Sequence, residues 1–509
     1  MMFGIRPLTC LLLLFFCVDV TAEDAASSDE TIRKAVVKIY SIRRSYSLSS
    51  PWKRLTATTV TGSGVVLSPT RVLTNHHVVA ATTDVSISLD GQSDRVSGRV
   101  FASSPGLDLA LIELEEPLSD EIVPLEVAKE SPAAGDKIQV FGYPKGGDSL
   151  SITEGVVSRM EHVRYRYNTF GLRTQIDAPL NNGNSGGPMI ANGKIVGIAF
   201  SGLSSSNDIG YAISCEEIKT ALEDLEDGVY DGKPQLWINT HTLASAELRR
   251  WLKLPEGESG IQFAAMPIPV EDYPLQAKDV ITQIGEFDVN NLGRVDLDEK
   301  TQVSFIYAAE QSASNGVVPV KVFRDGKPMQ LEVPAFRDDH YLLGYLRDQA
   351  PTYFVYGPLV FGIGYQDYWA AMDSVLTQGG NNARGVLAMM SSMSVRENPY
   401  LMRRHDRVME DEQLVIINKL IRNRMTRDVV LAPPAVVKSI NGKQIRSTRQ
   451  AAEILANLEG DQLVIELDDN RGSTVVLDRK QLEREHENIM EENGIVRSAS
   501  PDLRDVWTK

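Results

Sequence analysis

The chain is poor in cysteine, with three residues in 509, at Cys10, Cys17 and Cys215. So small a number excludes a disulfide framework and a cysteine-rich zinc site. Neither an H-E-x-x-H nor a C-x-x-C motif occurs, so no metal and no cofactor is expected. Beyond the first residues, no apolar run reaches the roughly 18 residues of a membrane-spanning helix. Positive charge is short as well: 52 Lys and Arg against 68 Asp and Glu give a formal net charge of −16. A surface of that sign repels phosphate backbones, which excludes nucleic acid as the main partner.

What is present is the composition of a globular chain, 42% hydrophobic and 24% charged. The length suffices for roughly three domains. Arg6 precedes an apolar run, Leu8 to Val18, and Val20-Thr21-Ala22 follows with small residues. This is the pattern of a signal peptide, residues 1–22, cleaved after Ala22. It predicts an exported protein, periplasmic or extracellular, in which Cys215 is the remaining thiol. A retained N-terminal anchor is the alternative reading of the same run.

Residues 32–226 carry short β-rich runs at close spacing, such as Ala35 to Tyr40, Leu109 to Leu114 and Lys194 to Phe200. Turn signals (Ser68-Pro69, Asp90-Gly91, Asn192-Gly193) separate them. The pattern predicts an all-β barrel or sandwich, closed by a helix from Cys215 to Leu225. Asp231-Gly-Lys-Pro234 reads as a hinge. A mixed α+β unit is expected over 234–338 and another over 345–482, the latter with a poorly periodic insertion. Asp279-Val-Ile-Thr-Gln-Ile-Gly285 echoes Ala435-Val-Val-Lys-Ser-Ile-Asn-Gly442, which suggests two modules of one plan. Arg479 to Asn493 reads as a charged, solvated helix, and 483–509 as a charged tail.

The chemistry concentrates in the β-rich segment. Gly183-Asn-Ser-Gly-Gly-Pro188 brackets Ser185 with glycines, which let backbone N–H groups turn toward one point beside the hydroxyl. A serine nucleophile needs a base. Three histidines precede it in this segment: His76, His77 and His162. Asp108, just before the apolar run from Leu109, is placed to be buried and to orient an imidazole. Gly183 to Gly187 also matches the G-x-S-x-G elbow of α/β-hydrolases, but that fold orders its residues Ser, acid, His. Here both partners precede the serine, and the esterase reading fails on order.

These residues resemble the HtrA/Deg family of chymotrypsin-fold serine proteases. The match is Thr74-Asn-His-His-Val-Val79, Asp108-Leu-Ala-Leu-Ile112, Gly183-Asn-Ser-Gly-Gly-Pro188 and Ile209-Gly-Tyr-Ala-Ile213. The resemblance implies a multidomain protein: an all-β double six-stranded barrel, with the active site between the barrels, and two α+β PDZ-like domains. It assigns the base to His77, the acid to Asp108 and the nucleophile to Ser185. Backbone N–H groups of Gly183 and Ser185, with Asn184 as a further candidate, would form the oxyanion hole.

In this fold the substrate pocket is walled by Pro179, Leu180, Ile198, Ala199 and Phe200, which implies small to medium apolar P1 residues. Loops matching His162 to Gly171 relay signals to the oxyanion loop in the family, and its members assemble as trimers or multiples of trimers. Lys278-Asp-Val-Ile281 and Tyr353 to Phe361 resemble the PDZ-type domains of plant-type Deg proteases. Leu236, Trp237 and Ile238 match the loop that receives a peptide carboxylate, with Trp237 where a glycine is expected.

The expected function is ATP-independent endoproteolysis of unfolded or misfolded proteins, with peptide ligands at the PDZ-type domains. A binding or chaperone scaffold with an idle triad is the alternative.

Overall fold

The computed structural model describes residues 22–145, 147–165, 169–181, 183–200, 210–266, 272–299, 301–337, 342–346, 348–368, 403, 412–469 and 472–508. The signal segment ahead of residue 22, Ile209, and most of the insertion expected near 340–410 lie outside these residues. Among them, no helix is long and apolar enough to cross a membrane.

After a helix, α1 (Ala22–Ala35), two closed six-stranded barrels follow. The first contains β1 (Val36–Arg43), β2 (Thr58–Ser68), β3 (Arg71–Thr74), β4 (Thr82–Leu89), β5 (Val96–Ser104) and β6 (Leu109–Leu114), in the order β1-β2-β3-β6-β5-β4. The second contains β7 (Lys137–Gly142), β8 (Ser151–Arg164), β9 (Phe170–Ile176), β10 (Pro188–Ala191), β11 (Lys194–Phe200) and β12 (Gly210–Ser214), in the order β10-β11-β12-β9-β8-β7. Valine and isoleucine dominate because β-branched side chains fit a pleated surface that is buried on its inner face. Val37, Ile39, Val65, Val72 and Ile87 fill the first barrel. Ile138, Val140, Ile176 and Met189 fill the second. Two short helices matter: α2 (His76–Val79), between β3 and β4, and α3 (Cys215–Asp224), after β12. Cys215 opens α3 fully buried, and burial pushes its thiol up to about 11, which disfavours the thiolate.

The second unit is a sheet in the order β13-β14-β15-β19-β20. Its strands are β13 (Asn239–Thr242), β14 (Ile261–Ala265), β15 (Val280–Ile284), β19 (Val317–Arg324) and β20 (Lys327–Pro334), with β16 (Phe287–Asp288) folded back on β15. β17 (Arg294–Asp296) pairs with β18 (Gln302–Ser304), and helices α4 (Ala246–Trp251) and α5 (Phe305–Ser312) complete the unit. The third unit has the order β21-β22-β23-β24-β26-β27. Its strands are β21 (Tyr353–Tyr356), β22 (Leu359–Ile363), β23 (Val415–Leu420), β24 (Ala435–Ile440), β26 (Gln462–Leu467) and β27 (Thr474–Asp478), with β25 (Lys443–Gln444) on β24. Its helices are α6 (Thr448–Ala456) and α7 (Arg479–Glu492).

The sequence echo therefore has a structural counterpart. β15 and β24 each occupy an inner sheet position, and each turns, through the positive-φ Gly285 in one and Asn441 and Gly442 in the other, into a two-residue strand folded back on it. A helix and then a hairpin follow in both units, α5 with β19 and β20 in one and α6 with β26 and β27 in the other.

The C-terminal segment differs from its expectation. α7 is not a fully solvated face: Leu482, His486 and Ile489 are buried along it. The residues after it are not a free tail. Ala499 bridges Phe354, and Trp507 packs 4.9 Å from the ring of Phe354 and edge-on to Tyr356. Charge density concealed this, because the apolar positions are few and widely spaced.

A buried ionic cluster joins the second barrel to the second unit. Lys233 Nζ lies 3.1 Å from both carboxylate oxygens of Glu217 on α3 and also contacts Glu310 on α5. His162 Nε2 lies 3.2 Å from Glu310. His162, Glu217 and Glu310 resemble a metal-binding trio, but the ammonium of Lys233 already supplies a cation among them. Burial opposes the charge on Glu217, yet Lys233 and Arg173 hold its carboxyl below the usual value of 4.5.

Two outcomes follow. A carboxyl with a depressed folded-state pKa contributes stability that is complete above the unfolded pKa and is lost as pH falls. Thermal unfolding followed downward from about pH 6 should therefore show a steeper loss below about pH 4.5 in the wild type than in Glu217→Gln. Trp507→Ala should destabilise the third unit by about 3–5 kcal/mol in chemical denaturation.

Candidate active site

The site is assembled where the two barrels meet, around a turn that ends at Asp108. Asp108 is fully buried and has φ +63°, a left-handed conformation that aspartate tolerates better than most residues. Its carbonyl accepts from the amide side chain of Asn75 at 2.9 Å and from the His76 N–H at 3.1 Å. Its carboxylate is held at both oxygens. Oδ1 accepts from the His77 N–H at 2.9 Å, and Oδ2 lies 2.7 Å from His77 Nδ1. This contact favours the tautomer with a proton on Nδ1, leaving Nε2 to accept one. The His77 side chain is 28% exposed, so one edge reaches solvent. Arg43 holds the far end of α2 through the carbonyls of His77 and Ala80.

Ser185 is 4% exposed and reaches the same place from the second barrel. Ser63, on β2 of the first barrel, positions it. The Ser63 N–H donates to Ser185 O at 2.9 Å, and Ser63 Oγ donates to Gly183 O at 2.8 Å. The Thr74 hydroxyl in turn donates to Ser63 O at 2.7 Å, two residues before α2. On its other side the loop is stitched to β11, with Gly186 N–H to Ala199 O at 3.0 Å and Ala199 N–H to Gly187 O at 2.8 Å. Gly183 and Gly186 have φ of +108° and +87°. A Cβ on Gly186 would meet Ser63 O at 2.2 Å and Thr74 Oγ1 at 2.3 Å, so only glycine fits.

The three histidines are thereby separated. His77 meets Asp108, whereas His162 is buried against Glu310 and stacked on Phe170. His76 is 3% exposed, with Nε2 3.2 Å from Asp348 of the segment entering the third unit. Burial opposes the charge on Asp348, but its contact with His76 holds the carboxyl below its usual range.

Of the oxyanion candidates, Asn184 has its N–H directed to Asn181 O at 3.0 Å. The five pocket residues do not form one wall. Leu180 and Ala199 share a cluster with Ala178, Pro179 is exposed, and Ile198 and Phe200 belong to the core shared with the first barrel. Strand alternation is the reason, since Ala199 faces away from its two neighbours. Asp177, adjacent to Ala178 in the chain, accepts from the Val156 N–H at 2.6 Å. In the second unit Trp237 is 4% exposed and stacked at 4.2 Å on Phe336, while Leu236 and Ile238 pack on the unit's core.

Sequence reasoning missed Ser63, although Gly62-Ser63-Gly64 within a strand is a signal of close backbone approach. It also missed Asp348, for which the sequence carries no signal.

Comparison with known proteins adds the family. A trypsin-like peptidase domain profile matches residues 62–198, and a PDZ domain profile matches residues 345–502. Protease Do-like 4, mitochondrial, of Arabidopsis thaliana is 33% identical over 347 residues, which cover 67% of this chain and 66% of that protein. Putative protease Do-like 3, mitochondrial, of the same plant is 26% identical over 495 residues, 96% of this chain and 84% of that protein. The chain belongs to the HtrA/Deg family. As an HtrA/Deg member it is a trypsin-like serine endopeptidase, with two six-stranded barrels followed by PDZ architecture. Protease Do-like 2, chloroplastic, also of Arabidopsis thaliana, is 27% identical, covering 97% of this chain and 79% of that protein. Among solved structures, the HtrA-type protease AlgW with decapeptide covers 61% of this chain and 98% of its own, at 22% identity and a TM-score of 0.46.

Replacing Gly186 with alanine should displace the Ser185 loop while leaving both barrels folded. Labelling of Ser185 by a fluorophosphonate should slow by about 10²-fold with an unchanged circular dichroism spectrum.

Proposed function

We propose that the chain is an exported, ATP-independent endopeptidase of unfolded proteins, in which Ser185, His77 and Asp108 form the catalytic triad. The observation that carries this reading is the buried Asp108 carboxylate gripping His77 at both its backbone N–H and its ring Nδ1. Ser185 Oγ attacks the peptide carbonyl as His77 takes its proton. Asp108 stabilises the imidazolium, and His77 then delivers the proton to the leaving amine. The N–H groups of Gly183 and Ser185 hold the oxyanion, each worth about 2.7–4 kcal/mol in the barrier. Asn184 is left out of that role because its N–H is engaged by Asn181.

In this reading no carboxylate lies in Ala178 to Leu180 or in Ile198 to Phe200 to pair with a basic side chain, which favours small or medium apolar P1 side chains. Such side chains are exposed in unfolded proteins, the expected substrates. Export rests on the Leu8 to Val18 run, and assembly into trimers rests on the family.

A second reading, a holding scaffold without turnover, draws on the stacking of Trp237 on Phe336, which fills the loop where carboxylate capture is expected. Digestion of casein separates the two. The wild type should release peptides ending in Val, Ala, Leu or Ile, and Ser185→Ala should lower kcat by about 10⁶-fold. Equal, negligible digestion by both proteins would favour the scaffold, and cleavage after Arg would refute the pocket. Asp108→Asn should lower kcat by about 10⁴-fold.

A further inference from the structure

We propose that Arg173 is a positioning residue for Asp108, setting the turn that aims the carboxylate at His77. The proposal rests on the triad reading above and extends it by one residue.

Arg173 lies on β9 and is fully buried. A guanidinium in that position is expensive unless its charge and its fork of N–H groups are used. Nη2 donates to Leu107 O at 3.2 Å, and Nη1 donates to Leu172 O at 3.0 Å. Leu107 O belongs to the peptide that leads directly into Asp108. The carbonyl on the other side of Asp108 is held by Asn75 and His76. The two peptides flanking a residue in a left-handed conformation are therefore each fixed by hydrogen bonds, and neither can rotate without breaking one.

The ribbon that carries Arg173 also presses on the turn. A Cβ on Gly106 would meet Thr169 Oγ1 at 2.1 Å, and one on Gly171 would meet Arg173 Nη1 at 2.8 Å. The rings of Tyr165 and Phe200 lie 5.4 Å and 5.8 Å from the guanidinium carbon, confining its face.

The countercharge is Glu217, whose Oε1 also accepts from the Leu172 N–H at 2.7 Å. Burial lowers the basicity of Arg173, and the negative charges of Glu217 and Asp108 oppose that effect. Glu217 is in turn bound by Lys233, which meets Glu310 of α5. Arg173 thus ends a line of buried charges that begins in the second unit and stops one peptide short of the triad acid. Gly171, the neighbour on the same face of β9, leaves room for the guanidinium, while Leu172 points the other way into the apolar core of the second unit.

The test is a double-mutant cycle in the full chain, using a peptide substrate and enzyme concentrations titrated with a fluorophosphonate. Arg173→Met should lower kcat by about 10²-fold while KM changes by less than about threefold. In an Asp108→Asn background the same change should cost no more than about twofold, because the carboxylate that it positions is gone. Arg173→Lys, which keeps the charge beside Glu217 but loses the fork, should fall between Met and wild type. The downfield proton resonance of His77 Nδ1–H should weaken in Arg173→Met.

Equal losses in both backgrounds, or no loss in either, would overturn the proposal. If Arg173→Met does not accumulate as folded protein, Arg173→Lys carries the same cycle with the same criterion. An Asp108→Asn enzyme as active as the wild type would instead overturn the triad reading itself.

Discussion

A carboxylate taken wholly out of water needs every one of its lone pairs accounted for, and the site is built around meeting that demand at Asp108. Its two oxygens have the backbone and ring of His77, and its carbonyl has Asn75 and His76. The short helix α2 is thereby fastened at its start by the acid and at its end by Arg43. The remaining freedom of the imidazole is small, as catalysis by proton transfer requires. Ser63 does the corresponding work for the serine loop, and it belongs to the barrel opposite the one that carries Ser185. The two barrels are therefore coupled by hydrogen bonds at the site as well as by apolar packing.

The two C-terminal units share one plan but differ in how they meet the barrels. The second unit is joined through buried charges, Lys233 between Glu217 and Glu310, and through Leu172 of β9, which lies within its apolar core. The third unit touches the first barrel through the loop after β1. Leu48 O accepts from Tyr368 and Asn418, Lys419 reaches Ser50, and Trp52 packs on Tyr353. Asp348 adds a contact to His76, the residue beside the base. Buried ion pairs resist removal of a single partner, so the first junction is specific in register and intolerant of partial change.

Much of this was legible in the sequence because polar residues in apolar surroundings stand out. Asp108 before Leu-Ala-Leu-Ile and Ser185 among glycines declare themselves by contrast with their neighbours. The barrel strands declare themselves by β-branched runs between turn signals, and the repeated module by its matching strand and turn. Arg173 does not, because Gly-Leu-Arg-Thr-Gln-Ile reads as ordinary strand alternation with polar residues facing water. Its burial depends on Glu217 and on Lys233, whose positions relative to β9 only the fold decides. Ile198 and Phe200 enter the pocket only through the resemblance to the chymotrypsin fold, and the two-residue period of the strand turns both into the core shared with the first barrel. The segment after α7 misled for a related reason: one tryptophan among charges outweighs its neighbours in buried area.

That tryptophan has a consequence for biosynthesis. Trp507 lies against β21 near the start of the third unit, and the backbone at Ser498 and Ser500 is hydrogen-bonded to Val355 and Tyr353. The ribosome must deliver almost the whole unit before its first strand gains these neighbours. The barrels, whose strands are all made earlier, have no such wait. A nascent chain stalled before residue 498 would carry the strands of both barrels beside a sheet edge with unfilled hydrogen bonds, the kind of surface that recruits other strands.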